Sequence, residues 1–227
     1  MQGRGRAGRI VAALSRRFVH PPMPTVALLH RESELARRLA ATIAEKPGLA
    51  VTGIAGTLPE LRELLAREVP DLLLVDLMLP APHVNGVLQA LRRDGGDGTP
   101  KLLVLAVSAD DPRVMDALRH GADSYFPHAH SLLSLPDAIE QLLRGESMIT
   151  PQIARQLRAH FDAPAAAATP LPDADRHLLQ WIAEGFLVSE VARALRLNCH
   201  AVGVRIRALY RRLQTDVRAE QPPPLVM

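Results

Sequence analysis

The feature that most constrains the fold of this chain is an alternation, repeated five times, of short apolar runs with amphipathic stretches. The apolar runs are VALLH, LAVTGIA, LLLVD, KLLVLAV and DSYF. The predicted helices between and after them are Ser33–Glu45, Leu58–Glu68, Gly86–Arg93, Pro112–His120 and Pro136–Arg144. Such short, continuously apolar runs indicate parallel strands covered on both faces. The pattern therefore predicts an α/β, doubly wound (βα)5 sheet of the flavodoxin-like type.

One carboxylate stands out in this pattern, because it directly ends an unbroken apolar run. The stretch PDLLLVDLMLP extends from Pro70 to Pro80, and Asp76 closes its apolar part. In open parallel sheets, functional sites lie at the carboxyl ends of the strands. Asp76 is therefore the first candidate site residue.

The second half of the chain has helical periodicity only. A Thr150-Pro151 start signal predicts a helix to about Phe161, and an Ala/Pro-rich linker, DAPAAAATPLP, follows it. The next predicted helices are Asp173–Glu184, Val188–Arg196 and one that Asn198 caps and that reaches about Gln214. Ten apolar residues have the spacing of a small three- or four-helix core: Leu178, Leu179, Ile182, Val191, Leu195, Leu197, Val202, Ile206, Leu209 and Leu213.

Composition removes several classes of function. The chain has one cysteine, which excludes an internal disulfide and a cysteine-based metal site, and a reducing cytoplasm is the expected location. No apolar run is long enough to span a membrane. Aromatic residues make up only 3%, which argues against a single-strand nucleic-acid surface built on base stacking. We interpret His83, His128 and His130 as solvated loop residues rather than metal or haem ligands.

The distribution of charge supports a division into domains. Residues 1–24 carry five arginines and no acid, residues 25–163 have a net charge of −4, and residues 164–227 have +2. An acidic body with a basic end fits a control domain joined to a nucleic-acid reader. We interpret 1–24 as a disordered or upstream-start extension, with a DNA-contacting basic arm as the alternative. The predicted divisions after it are 25–147, a helix and linker at 148–170, 171–216 and a tail at 217–227.

Residues Thr25–Arg144 resemble the receiver domain of bacterial response regulators. The resemblance rests on PDLLLVDLMLP, the five-unit alternation and ALRHGADSYF. It implies that Asp76 accepts a phosphoryl group from a histidine kinase with the help of Mg²⁺. It also places Tyr125 at the position of the family's aromatic switch, and a buried core tyrosine is the alternative interpretation.

The chain departs from the receiver pattern at each helper position. The family's acidic pair is replaced by His30-Arg31-Glu32, its hydroxyl residue by Ala106 and its lysine by His128. Ser108 is a substitute only if the loop is two residues longer. Two interpretations remain open: weak phosphorylation of Asp76 with Mg²⁺, or a degenerate receiver that needs no cofactor and signals without phosphate. In the second, Arg31 is the expected ion-pair partner of Asp76.

Residues Leu171–Gln214 resemble the helix-turn-helix domain of LuxR/NarL-type regulators. The residues that carry this resemblance are AEG, SEVARALRL and AVGVRIRALYRRL. A recognition helix enters the major groove, where arginine binds guanine or phosphate. The expected DNA-facing residues are Asn198, Ala201, Val204, Arg205, Arg207, Arg211 and Arg212. Gly203 replaces a lysine that is usual in the family, which predicts weakened or altered base contacts.

Together these features predict a transcription regulator of NarL/FixJ type with an atypical receiver, and not an enzyme. The expected partners are double-stranded DNA, a second copy of the chain, and a regulatory protein or cognate histidine kinase, with no membrane. The candidate dimer faces are the receiver's fourth helix and fifth strand, or the reader's last helix. The alternatives are a conventional phosphorelay regulator, and a ligand- or partner-sensing protein with weak DNA binding that uses His30, Arg31 and His128.

Overall fold

The computed structural model describes residues 23–79, 83–94, 99–127, 131–163 and 170–220. The strands are β1 (Thr25–Leu29), β2 (Ala50–Ala55), β3 (Leu72–Asp76), β4 (Lys101–Ala106) and β5 (Ser124–Pro127). The receiver helices are α1 (Ser33–Ala44), α2 (Leu58–Arg67), α3 (His83–Asp94), α4 (Pro112–Arg119) and α5 (Leu135–Leu143), with a 3₁₀ turn at Leu132–Ser134. The remaining helices are α6 (Pro151–Phe161), α7 (Asp173–Glu184), α8 (Val188–Ala194) and α9 (Cys199–Glu220).

The five strands form one parallel sheet in the order β2-β1-β3-β4-β5. This is the predicted flavodoxin-like topology, in which the chain reverses direction across the sheet at β1 and β3. Asp76, the last residue of β3, pairs in register with Leu105 of β4. The site residue therefore lies at the carboxyl edge of the sheet, beside the point where strand order reverses.

Alternate residues of the strands build two apolar layers. Leu72 and Leu74 lie in the layer that contains Leu39 and Ile43 of α1 and Ile139 of α5. Leu73 and Val75 lie in the layer that contains residues of α2, α3 and α4 and that continues into the C-terminal helices. Because successive side chains of a strand point to opposite faces, a central strand with helices on both sides must be apolar throughout.

The C-terminal unit is built from α7, α8 and α9, with α6 packed on α7. Gly185 has φ of 100° at the end of α7, where a left-handed residue closes a helix and glycine adopts it without strain. Arg196 has φ of 55°, so the chain turns there and α8 stops at Ala194, two residues before its predicted end. Conversely, α9 continues to Glu220, beyond the predicted end near Gln214. Among the described residues, no helix has the length and apolar character required to cross a membrane.

Candidate functional site

Asp76 is buried at the end of β3, with 2% of its surface exposed. One carboxylate oxygen, Oδ1, accepts a hydrogen bond from the backbone N–H of Met78 at 2.8 Å. The other, Oδ2, faces the His30 ring, whose Nε2 lies 3.7 Å away. The expected carboxylate is therefore in place, with an imidazole as its neighbour.

His30 occupies the position that follows β1, and it is 5% exposed. Its Nδ1 accepts a hydrogen bond from the backbone N–H of Glu32 at 3.1 Å. The ring proton therefore lies on Nε2, which points at Asp76 and has no hydrogen-bond partner among the described residues. The expected ion pair between Arg31 and Asp76 is wrong, because Arg31 is exposed and His30 is the residue that turns inward.

Arg113 of α4 is a cationic neighbour of Asp76 that the sequence pattern did not indicate. Its guanidinium donates to the Leu77 carbonyl at 3.2 Å and to Asp111. Hydrogen bonding to Asp111, with a smaller contribution from the Asp76 charge, raises the pKa of Arg113. The guanidinium thus holds the segment that follows β3 and adds positive potential beside the carboxylate.

Among the described residues, the other helper positions do not supply the oxygen ligands of a magnesium site. Ala106 ends β4 as predicted and is buried, while the Ser108 hydroxyl accepts a hydrogen bond from Asp110 at 3.2 Å. Glu32 is exposed. The described part of the chain contains no group of three or more His, Cys, Asp or Glu residues placed to hold a metal ion. Because Mg²⁺ requires several oxygen ligands and Nε2–H of His30 donates rather than ligates, these residues do not fit the ion. His128, His130 and the side chain of His83 lie outside the described residues.

Tyr125 is a fully buried residue of β5. Its hydroxyl donates to Thr150 Oγ1 at 3.2 Å, and Thr150 is the N-cap of α6. Burial raises the pKa of Tyr125 to about 12. This agrees with the core-tyrosine interpretation, and it links β5 to the helix that leads into the C-terminal unit. A switching role remains a prediction.

The recognition helix α9 begins as predicted, since Asn198 Oδ1 accepts from the Ala201 N–H at 2.7 Å. Val204 and Arg211 are exposed, and Ala201 is partly so. Two further predicted DNA-facing residues contact their own unit. Arg205 pairs with Asp175 at 3.0 Å, and Arg212 lies over the Phe161 ring with its guanidinium carbon 5.4 Å from the centroid.

Arg207, which we expected on the DNA-facing surface, is instead buried against the receiver and only 7% exposed. Its Nη2 donates to Asp123 Oδ1 at 3.0 Å. The other oxygen of Asp123 accepts from Arg92 of α3 and from the Leu102 N–H. The expectation of an outward-facing Arg207 is therefore wrong in this arrangement, because a buried receiver carboxylate holds it.

Arg207 belongs to a stripe of α9 that packs on the receiver. The stripe consists of Gly203, Arg207, Tyr210 and Gln214, whose spacings of three and four residues place them on one side of a helix. The Tyr210 hydroxyl donates to the Met148 carbonyl at 2.7 Å, and the Gln214 amide donates to the carbonyls of Leu118 and Ala122. Sequence reasoning missed Asp123, Tyr210 and Gln214 as interface residues, because their partners lie 62 to 96 positions away.

A parallel α/β unit with an aspartate at its carboxyl edge, joined to a helix-turn-helix, defines a regulator with a receiver and a reader. No protein-family model matches the chain. It is 28% identical over 200 residues to the nitrate/nitrite response regulator protein NarL of Escherichia coli K12, covering 86% of this chain and 92% of that protein. It is 26% identical over 151 residues to the response regulator protein VraR of Staphylococcus aureus, covering 66% and 71%.

Two solved structures agree with the fold. RcsB of Salmonella enterica serovar Typhimurium, bound to a promoter with the phosphomimetic BeF₃⁻, has a TM-score of 0.52 at 15% identity, covering 88% of this chain and all of that one. A LuxR-family regulator from Aurantimonas has a TM-score of 0.52 at 24% identity, covering 61% and 98%. The chain is a response regulator of the NarL/LuxR type.

The burial of both tyrosines predicts an unusual alkaline titration. The chain contains two tyrosines, and burial raises the pKa of Tyr210 as well as that of Tyr125. We expect little phenolate absorbance from the folded chain near pH 10, where the unfolded chain titrates. A phenol is neutral when protonated, so raised folded pKa values stabilise the fold below pH 10. This contribution is lost as the pH rises from about 10 toward the Tyr125 pKa of about 12. A folded-state titration centred near 10 would contradict the burial.

Proposed function

We propose that the chain is a transcription regulator in which α9 reads duplex DNA and the receiver controls it without a phosphate on Asp76. The observation that carries the second part is the His30 ring at the position of the receiver's acidic pair, with Nε2 3.7 Å from the Asp76 carboxylate. An aspartyl phosphate needs its charge neutralised by cations held on carboxylates. The pocket around Asp76 instead contains the buried Nε2–H of His30 and the guanidinium of Arg113.

The DNA-reading role is supported by the exposed side of α9 and by the relatives. Val204 and Arg211 are exposed on this side, where a major groove is able to receive them. NarL and VraR are response regulators, and RcsB has been solved on a promoter. RcsB dimers have also been solved on DNA, which supports binding of this chain as a homodimer to two half-sites.

The arrangement of the two units implies that DNA binding requires a rearrangement. Arg207 is held by Asp123, and α4 packs on α9. Two of the candidate dimer faces, the receiver's fourth helix and the reader's last helix, thus cover each other. We infer that α9 separates from α4 before it enters a groove and before either face pairs with a second copy. A partner protein or ligand that favours separation then replaces the histidine kinase as the input.

Arg211 provides the test of DNA reading. We expect Arg211→Ala to weaken binding to a mixed-sequence duplex and to reduce the magnitude of the slope of log Kobs against log[salt] by about 0.9, because one phosphate contact is lost. Arg38→Ala removes an exposed arginine from α1 and serves as the matched control. Fluorescence anisotropy at several salt concentrations measures both variants. Equal slopes for Arg211→Ala and the wild-type chain would show that Arg211 makes no phosphate contact and would contradict the proposed placement of this side of α9 on the duplex.

Asp76 provides the test of phosphate independence. We expect Mg²⁺ with beryllofluoride to leave the sedimentation coefficient and the duplex affinity of the wild-type chain unchanged, because the pocket lacks the ligands that hold the ion. Acetyl phosphate should give no phosphorylated species in the intact mass spectrum. Asp76→Asn is the control. A tenfold or larger shift in affinity that occurs in the wild type and disappears in Asp76→Asn would establish the conventional phosphorelay alternative.

A further inference from the structure

The connector between the receiver and α6, Glu146–Thr150, is bonded along its length to β5. The Ser147 hydroxyl donates to the Asp123 carbonyl at 2.7 Å, and the Met148 N–H donates to the Ser124 hydroxyl at 3.4 Å. Tyr125 donates to Thr150 at 3.2 Å. Three consecutive residues therefore hold the connector in one position: Asp123, which precedes β5, and Ser124 and Tyr125, which begin this edge strand of the sheet.

The opposite side of the same connector is bonded to the recognition helix. The Ser147 N–H donates to the Gly203 carbonyl at 3.0 Å, and the Tyr210 hydroxyl donates to the Met148 carbonyl at 2.7 Å. His200, near the start of α9, lies 3.0 Å from Glu146 Oε1. The connector thus bridges β5 and α9 through backbone and side-chain groups of both.

Gly203 determines how closely α9 approaches this connector. A Cβ atom at position 203 would lie 2.9 Å from Glu146 Cβ and 3.2 Å from its Cγ. Glu146 Cβ is attached directly to the backbone, so rotation of the side chain does not relieve the overlap. Either the connector or the helix would have to move, and the bond from Ser147 to the Gly203 carbonyl would lengthen.

We propose that Gly203 is the positioning residue that lets connector Glu146–Thr150 clamp the recognition helix, and that the state of this clamp sets the affinity for DNA. The inference rests on the proposed DNA-reading function. It also offers a structural reason for glycine at position 203, where a lysine is usual in the family that the chain resembles. The absence of a side chain at position 203 permits close packing on the receiver, although glycine is less favourable than alanine inside a helix.

The variant Gly203→Ala distinguishes a glycine that positions the helix from a glycine that has no structural role. In a helix that the receiver does not contact, Gly203→Ala stabilises the chain. In the clamped helix it pushes the connector away. Gly86→Ala is the matched control, because Gly86 also lies within a helix and a Cβ there meets no atom within 4 Å.

The experiment compares the full-length wild type, Gly203→Ala and Gly86→Ala by two measurements. Hydrogen exchange followed by mass spectrometry reports on the peptide that contains Ser147 and Met148, and anisotropy reports the affinity for a mixed-sequence duplex. We expect Gly203→Ala to accelerate exchange of that peptide and to tighten duplex binding, each by roughly tenfold. Gly86→Ala should change neither.

Unchanged exchange in Gly203→Ala would overturn the proposal. Faster exchange without tighter binding, in a chain whose wild type binds duplex, would also overturn it. If Gly203→Ala does not fold, Tyr210→Phe replaces it, because this variant removes the bond to the Met148 carbonyl with little change in shape. Faster exchange and tighter duplex binding are then expected of Tyr210→Phe, and the absence of either would overturn the proposal. Faster exchange combined with no duplex binding by any form would instead contradict the proposed DNA-reading function and leave the clamp intact.

Discussion

The buried carboxylate of Asp123 is the interaction on which the arrangement of the two units depends. It is 3% exposed and accepts from Arg92 of the receiver and Arg207 of the recognition helix. A buried charge is tolerated only when it is paired, and removal of one partner from such a pair costs about 3–5 kcal/mol. Under the proposed separation of α9 from the receiver, Arg207 would become exposed, and Asp123 and a DNA phosphate would then compete for its guanidinium. The interaction that docks α9, a guanidinium paired with an anionic oxygen, is of the same kind as an arginine–phosphate contact on DNA.

The second constraint is that the aspartate pocket and the docked helix lie at different places on the receiver. Asp76 lies at the carboxyl end of β3 near His30 and Arg113, whereas α9 contacts the connector, α4 and residues that precede β5. In this chain the guanidinium of Arg113 places positive charge near Asp76 from within the protein itself. Tyr125, which the receiver resemblance places at a switch position, is bonded to the N-cap of α6. Hydrogen bonds thus link the sheet to the reader through the connector, in addition to the direct contact of Arg207 with Asp123.

Much of the fold could be predicted from the sequence, because local periodicity and turn residues determine it. The five strands, the position of Asp76 at the end of β3 and the Asn198 cap are all local features. The identity of the basic residue beside Asp76 was not predictable, since His30 and Arg31 are neighbours and only the bond from Glu32 N–H to the imidazole selects His30. The prediction that Arg207 faces DNA was wrong for a related reason. Its position on α9 suits a groove, and only a carboxylate 84 residues away draws it to the receiver.

The most direct test of the account is the distance between the start of α9 and the receiver in solution. Cys199 is exposed and is the chain's one cysteine, so a spin label there and a second on Glu63→Cys of α2 define one distance for pulsed electron resonance. We predict one narrow distribution of the label-to-label distance for the free chain, the same distribution with Mg²⁺ and beryllofluoride, and a different one on duplex DNA. A distribution that shifts with beryllofluoride alone, or that is broad in the free chain, would contradict a receiver that holds its reader without phosphate.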